Sequence, residues 1–530
     1  MKKVVCSIFL MIIFSSGILF ILSKMNKASY DVRLWGYDDI AEIPHLSIQT
    51  YLDGSFQEGF TKWVDQNVKP RGLYVRNYST IRYNLFNLGN RPIGKNKNIF
   101  ETEYIDNELV INDSKDMQFK SNRDEMDEYI AKLERLDENL KKYNKFLYVY
   151  VSPSKADFDR KDIPDKYINI SSEQSVKPVD YFQDRISKTD VPYRICRDEK
   201  NDLEYPAFYS TGIHWSRPYE QYESSLIIKD LSDIADKQYR NIVLKDVVSS
   251  DKAFWRDSDV YRLLNVWNKA DKITYYQYNT ERDINREQYD SLNFLIQGTS
   301  FGEGLINDVI ELYPYDYHYY VCRDEYITDY IYNQYVFDGV WDDLNFKSIL
   351  DSIDIIVIET TESELTTYSC GFVDHLNSFL DDYKPDDIVY PIVEKVDCRN
   401  YDYEMQDAIQ GVYYDEGDFA WTQDYFSVSL DKQVTKNGLD IELSVPGFLF
   451  LENKEPETVT IFVNGKRCYE NIFENAWSGI ISIDADDYEI NDRCLVEVYS
   501  SKQFNPYLLG YNDDNRYLAL ELVYVGGTRQ

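Results

Sequence analysis

Between residues 124 and 380 the hydrophobic positions switch repeatedly between a helical period and short unbroken runs. Met126, Ile130, Leu133, Leu136 and Leu140 recur at spacings of four, three, three and four, which predicts one buried helix face over Asp124–Tyr143. Phe146–Val151 follows at once and reads as a buried strand. A helix over Val179–Thr189 leads to a strand at Pro192–Cys196. Another helix begins after Trp215 and runs through Leu226, Ile227, Leu231 and Ile234. Asn293–Gln297 and Asp354–Glu359 are short apolar runs, each followed by helix-like sequence. Strands alternating with helices predict an α/β fold on a parallel sheet. The pattern changes near Asn400. From there short alternating runs dominate, at Phe426–Leu430, Gly438–Val445, Glu457–Val463, Gly479–Ile483, Cys494–Ser500 and Leu518–Val525. Asn464-Gly465 is a hairpin signal, because both residue types tolerate positive φ. Evenly spaced strands without helices predict a C-terminal all-β sandwich.

At the other end, Lys2 and Lys3 precede an apolar run from Val4 to Leu22. As a helix that run is ~28 Å long, enough to cross a hydrocarbon core. No small-residue cleavage site follows in Ser23–Lys27, so an uncleaved transmembrane signal anchor is expected over residues 1–25. The expected organisation is therefore an anchor at 1–25, an α/β domain at 26–400 and a β-sandwich at 401–530. It places a single span in the cell membrane and the bulk of the chain outside the cell.

Composition narrows the function. The 530 residues carry 57 Lys and Arg against 92 Asp and Glu, a net charge of −35. So acidic a surface repels phosphate backbones, which disfavours nucleic acid as a partner. Four histidines (His45, His214, His318, His375) argue against a histidine-rich metal site and leave a short list for any catalytic base. The seven cysteines form no CxxC pair, so neither structural zinc nor a tight disulfide framework is indicated.

Two segments carry chemistry. Asn293-Phe-Leu-Ile-Gln-Gly-Thr-Ser-Phe-Gly302 runs from a strand through a glycine-containing turn into a helix with Leu305, Ile306, Val309 and Ile310 at helical spacing. Ser300 then stands at the carboxyl edge of a parallel sheet, where open α/β sheets place their sites. Backbone N–H groups at the elbow Gly298, Thr299 and Phe301 are candidates for holding an oxyanion. The competing reading is a serine that only caps its helix. In Tyr209-Ser-Thr-Gly-Ile-His-Trp-Ser216, His214 can act as base for Ser300, or simply fill a helix start.

Taken with Val151-Ser-Pro-Ser-Lys155, Ile163-Pro164, Arg71, Ile93-Gly-Lys95 and Asn98-Ile-Phe100 before Tyr104, these segments resemble the alginate O-acetyltransferase group of AlgX and AlgJ type. The likeness spans roughly residues 60–370. It implies an SGNH-hydrolase-like, flavodoxin-like fold with Ser300 as nucleophile and His214 as base. Trp215 and Lys155 stand at the positions that line the substrate in such a site. Three positions depart from the pattern. Gly212 stands where the triad aspartate is expected, Thr299 replaces the aspartate of G-D-S, and Ser363 replaces an arginine after Glu362. Glu359 and Glu362, at the end of the Ile355–Ile358 run, are the candidate acids to orient His214.

The C-terminal segment resembles jelly-roll modules of surface-glycan enzymes, with Trp421, Tyr425, Trp477, Tyr499 and Tyr507 as either sugar platforms or core. The resemblance implies transfer of acetyl groups onto hydroxyls of an extracellular polysaccharide. A multispanning membrane-bound O-acyltransferase would supply the acetyl group, with no metal or soluble cofactor. Two alternatives stay open on sequence: an extracellular carbohydrate esterase using the same residues, and a catalytically impaired glycan-binding or assembly protein. The net charge favours a neutral or amino-sugar-bearing glycan over a polyuronate.

Overall fold

The computed structural model describes residues 41–67, 71–102, 123–167, 177–197, 205–254, 256–268, 272–281, 292–312, 319–323, 326–331, 334–340, 346–365, 370–385, 392–400, 408–413, 417–451, 455–489, 493–506 and 516–529, with a few isolated positions. The apolar run Val4–Leu22 lies outside these residues, apart from Phe14. Among the described residues no helix is long and apolar enough to cross a membrane.

A seven-stranded sheet organises the first part of the chain. Its strands are β1 (Phe146–Ser152), β2 (Tyr193–Ile195), β5 (Phe294–Gln297), β6 (Tyr319–Arg323), β7 (Tyr326–Ile331), β8 (Gln334–Val340) and β9 (Ile355–Thr361). A separate two-stranded ribbon contains β3 (Val243–Ser250) and β4 (Tyr275–Glu281). The sheet order is β2-β1-β9-β5-β6-β7-β8. The strands from β2 to β6 run parallel, while β6, β7 and β8 form an antiparallel meander at one edge. The expected parallel sheet is thus present, with an antiparallel extension that the sequence pattern did not signal.

Side chains of a strand point alternately to its two faces, and β1 shows the consequence. Leu147, Val149 and Val151 face one core with Leu295, Ile356 and Ile358, under the helices α1 (Arg123–Lys141), α2 (Pro178–Ile186), α5 (Phe346–Ser352) and α6 (Cys370–Leu380). Tyr148 and Tyr150 face the other core with Phe294, Ile296, Ile355 and Val357, under α3 (Arg217–Ala235) and α4 (Glu303–Leu312). Helices on both faces explain why β9 is buried along its whole length and why Ile355–Ile358 form an unbroken apolar run. The predicted helix Asp124–Tyr143 is α1, with all five of its periodic residues in the core.

The second sheet is wholly antiparallel, in the order β15-β14-β17-β12-β18-β13-β16, and wraps one core. Its strands are β10 (Lys395–Asp397), β11 (Ile409–Val412), β12 (Ala420–Asp431), β13 (Leu439–Val445), β14 (Glu457–Val463), β15 (Lys466–Phe473), β16 (Trp477–Ile483), β17 (Arg493–Ser500) and β18 (Glu521–Gly527). Strand β12 joins the two layers: Ala420 and Trp421 pair with β18, and Tyr425–Asp431 pair with β17. The hairpin β14–β15 turns on Asn464 (φ 49°) and Gly465 (φ 79°). The sheet starts before Asn400, since β10 pairs with β18 and Val396 is fully buried in this core.

Candidate active site

The turn after β5 presents Ser300 at the start of α4 and leaves it partly exposed. Glycine is required at Gly298, because a Cβ there would come within 2.9 Å of the Glu359 side chain. The histidine reaches the same edge from a different element. Its loop, Tyr209–Ser216, is closed by pairing of Phe208 with Trp215 and leads directly into α3. Buried Lys155 ties that loop down, donating from Nζ to the carbonyls of Tyr209 (2.7 Å) and Gly212 (2.6 Å).

His214 Nε2 lies 2.9 Å from Ser300 Oγ, and His214 Nδ1 lies 2.6 Å from Asp259 Oδ2. A carboxylate has no proton to give, so Nδ1 carries the hydrogen and Nε2 presents its lone pair to the serine hydroxyl. The other oxygen of Asp259 accepts the backbone N–H of Ile213 (3.1 Å) and of Val260 (2.8 Å). One carboxylate therefore fixes both the tautomer of the imidazole and the loop that carries it. The three side chains form a Ser-His-Asp triad, recognised by geometry and roles rather than by chain order.

Asp259 was not among the residues singled out by sequence. It sits on the connection between β3 and β4, a Tyr- and Val-rich ribbon that carried no motif. Asp257, two residues earlier, anchors this connection: its Oδ1 accepts the N–H of Arg217 at the start of α3, and its backbone carbonyl accepts Thr211 Oγ1. That carbonyl also explains Gly212. A Cβ there would lie 2.8 Å from Asp257 O, so no acid fits at this position and the acid comes from the neighbouring loop.

The two candidate acids named from sequence stand elsewhere. Glu359, fully buried at the end of β9, accepts the backbone N–H of Thr299 at 2.5 Å. Burial raises its carboxyl to about 7, against which the hydrogen bonds from Thr299 work. It supports the elbow and does not touch His214. Glu362 faces Arg197 at 3.8 Å, with burial again raising its carboxyl. The oxyanion assignment changes as well. Thr299 N–H is taken by Glu359 and Phe301 N–H by Thr299 Oγ1 (3.1 Å), whereas Ser300 N–H makes no hydrogen bond among the described residues. Nor do Lys155 and Trp215 line an open site. Each is 2 % exposed, Lys155 as the loop tie and Trp215 packed against Tyr219 and Phe301.

Arg256 is a further group at the site. Its Nη1 lies 3.2 Å from His214 Nε2 and 3.4 Å from the Ser300 carbonyl, and its Nη2 pairs with Glu303 on α4. Below the site, Arg217 bridges Glu220 (2.8 Å) on α3 and Asp308 (2.6 Å) on α4. This buried cluster fixes the helix that follows His214 against the helix that follows Ser300. In the C-terminal sheet, Tyr425 and Tyr499 are buried and pack edge-to-face at 5.1 Å, while Trp421 and Trp477 pack on the core, so these four are packing residues; Tyr507 lies outside the described residues. Among the described residues no group of three His, Cys, Asp or Glu side chains is placed to hold a metal ion.

No protein-family model matches the chain. No curated protein matches it either. Solved structures do. Pseudomonas aeruginosa AlgX is similar at 12 % identity and a TM-score of 0.35, over 84 % of this chain and 96 % of that one. The O-acetyltransferase domain of Pseudomonas putida AlgJ is similar at 13 % and 0.33, over 54 % of this chain and 98 % of that one. Bacillus cereus PatB1, solved with a sulfonyl adduct, is similar at 12 % and 0.31, over 46 % and 91 %. The first two belong to the group that the sequence motifs resemble.

Proposed function

We propose that this chain is a serine-dependent O-acyltransferase that places acetyl groups on hydroxyls of an extracellular polysaccharide. The observation that carries the reading is the triad: Ser300 Oγ at 2.9 Å from His214 Nε2, and Asp259 at 2.6 Å from Nδ1. The order of motifs around Lys155, His214 and Ser300 supports the acceptor class.

His214 Nε2 takes the Ser300 hydroxyl proton as Oγ attacks the carbonyl carbon of the acyl donor. The carbonyl oxygen becomes an oxyanion, and the unengaged Ser300 N–H is the nearest backbone donor for it. The C–O bond to the leaving group then breaks, that group takes the proton from His214, and an acetyl ester remains on Ser300. In the second half His214 deprotonates a sugar hydroxyl, whose oxygen attacks the ester carbonyl carbon; the bond from that carbon to Ser300 Oγ breaks, and Oγ takes the proton back from His214. Throughout, Asp259 stabilises the imidazolium that forms and keeps the productive tautomer. In this reading a membrane-bound O-acyltransferase supplies the acetyl group, and no metal or soluble cofactor takes part. The acidic surface suits a neutral or amino-sugar-bearing acceptor.

The test is a strain carrying Ser300→Ala. Loss of acetate esters from its polysaccharide is expected, and unchanged acetylation would refute the reading. His214→Ala should be nearly as severe and not additive with Ser300→Ala, because the two act as one unit.

A further inference from the structure

The described large hydrophobic side chains that stand open to solvent are unevenly distributed. Twelve of 23 fall between Ile43 and Leu88, a stretch of 46 residues in a chain of 530. Helix Arg71–Phe86 concentrates them. Tyr74, Tyr78, Ile81 and Leu85 recur at spacings of four, three and four, so they form one stripe ~17 Å long on a single helix face. Tyr78, Ile81 and Leu85 are 62 %, 54 % and 72 % exposed, and Phe86 and Leu88 extend the patch. The opposite face does the packing: Gly72 and Tyr83 are buried there, and Tyr83 joins the cluster of Ile93, Ile99, Val260 and Leu264. In the preceding helix, Ser55–Asn67, Phe56, Phe60 and Trp63 stack in succession at 5.6 and 5.7 Å.

Charge marks only the second part of this stretch, since residues 43–65 carry Asp53, Glu58 and Asp65 against Lys62. Residues 66–100 hold seven Lys and Arg and no Asp or Glu, although the whole chain has a net charge of −35. Two of the arginines lie over aromatic rings beside the stripe, Arg82 over Tyr78 at 5.4 Å and Arg76 over Trp267 at 5.1 Å. An apolar helix face with aromatics and flanked by basic groups, set in an otherwise acidic protein, is complementary to a bilayer surface with anionic headgroups. Arg and Tyr serve there because each buries an apolar body while its polar end stays at headgroup level.

We infer that residues 71–88 form an interfacial membrane-binding surface for anionic lipid, separate from any contact made by Val4–Leu22. The stripe lies in the plane of the headgroups, and Tyr83 on its inner face packs beside Val260, the neighbour of Asp259. The triad is thereby held at a fixed height above the bilayer. This inference does not depend on the acyl-transfer reading.

The test is peptide-resolved hydrogen exchange of the full chain in detergent, in phosphatidylcholine vesicles, and in vesicles that also contain phosphatidylglycerol. Amides of residues 71–88 should gain protection in the phosphatidylglycerol vesicles and lose it in high salt. Tyr78→Ser/Ile81→Ser/Leu85→Ser should abolish that gain. Protection of β1 and β9 should be unchanged in the variant, which reports that it is folded. Equal exchange of residues 71–88 in all three media would overturn the inference. So would equal protection in the phosphatidylcholine and the phosphatidylglycerol vesicles, which would remove the role given to anionic headgroups. Protection that rises with protein concentration at fixed lipid would assign it to a second copy of the chain, and would equally overturn it.

Discussion

Replacing Asp259 by asparagine isolates the one triad member that no sequence motif announced. The carboxylate has two unequal oxygens: Oδ1 accepts two backbone N–H groups, from Ile213 and Val260, and Oδ2 accepts His214 Nδ1. An asparagine must keep its carbonyl oxygen toward the two amides, because an NH2 group there would face two donors. Its NH2 group then faces His214 Nδ1 and donates to it. The imidazole is forced to carry its proton on Nε2, where it cannot accept the proton of Ser300. Fold and loop position are retained while the base is disabled. A wrong-tautomer triad loses ~10⁴ in rate, which corresponds to about 5 kcal/mol of barrier. The assay needs no knowledge of the natural donor: the rate at which a sulfonyl or phosphonate probe labels Ser300 reports its activation directly. Asp259→Asn should label slower by ~10⁴ at neutral pH, with thermal stability close to that of the parent. Labelling at the parental rate would refute the role assigned to Asp259, and a large loss of stability would show that the two amide contacts had not survived.

Three further outcomes are expected. Burial raises Glu359 from 4.5 to about 7 in the folded chain, so the folded state holds a proton that the unfolded state releases across that window. Stability from this group is full below pH 4.5 and falls as pH rises towards 7; Glu359→Gln keeps an acceptor for Thr299 N–H and removes the loss, so from pH 4.5 to 7.5 denaturant unfolding should shift in favour of the variant by about 3 kcal/mol, and a pH-independent difference would contradict the assignment. Gly212→Asp restores the motif acid but sets its Cβ 2.8 Å from Asp257 O, so melting temperature and Ser300 labelling should both fall; a gain in labelling would show that position 212 can hold the acid after all. A fragment starting at residue 391 should fold with higher stability than one starting at residue 401, because only the first retains β10 and buried Val396; equal melting temperatures would make that strand dispensable.

What the sequence made legible is what local pattern can encode. The period of Met126 to Leu140, the apolar runs of β1, β5 and β9, and the Asn464-Gly465 turn each depend on neighbours within a few residues. Ser300 and His214 were legible because each sits in a motif beside its own strand or helix. Asp259 was not, since it meets His214 across 45 residues of chain, on a connection whose place is set by Asp257 capping another helix. Glu359 and Glu362 misled for the reverse reason: Glu359 lies in the right strand and Glu362 just after it, but Glu359 points under the elbow and Glu362 towards Arg197. The family resemblance places Lys155 and Trp215 against substrate, yet both are consumed in building the loop that carries His214. Strand β10 has three residues, too few for a period to show.

The central claim is that Ser300 becomes an acetyl ester by the action of His214. Full-length protein mixed with an activated acetyl ester, quenched in acid and digested should show one acetyl group on the peptide containing Ser300. The modification should be absent in Ser300→Ala and strongly slowed in His214→Ala. Acetylation of that peptide at the same rate in His214→Ala, or acetylation only at other residues, would contradict the account.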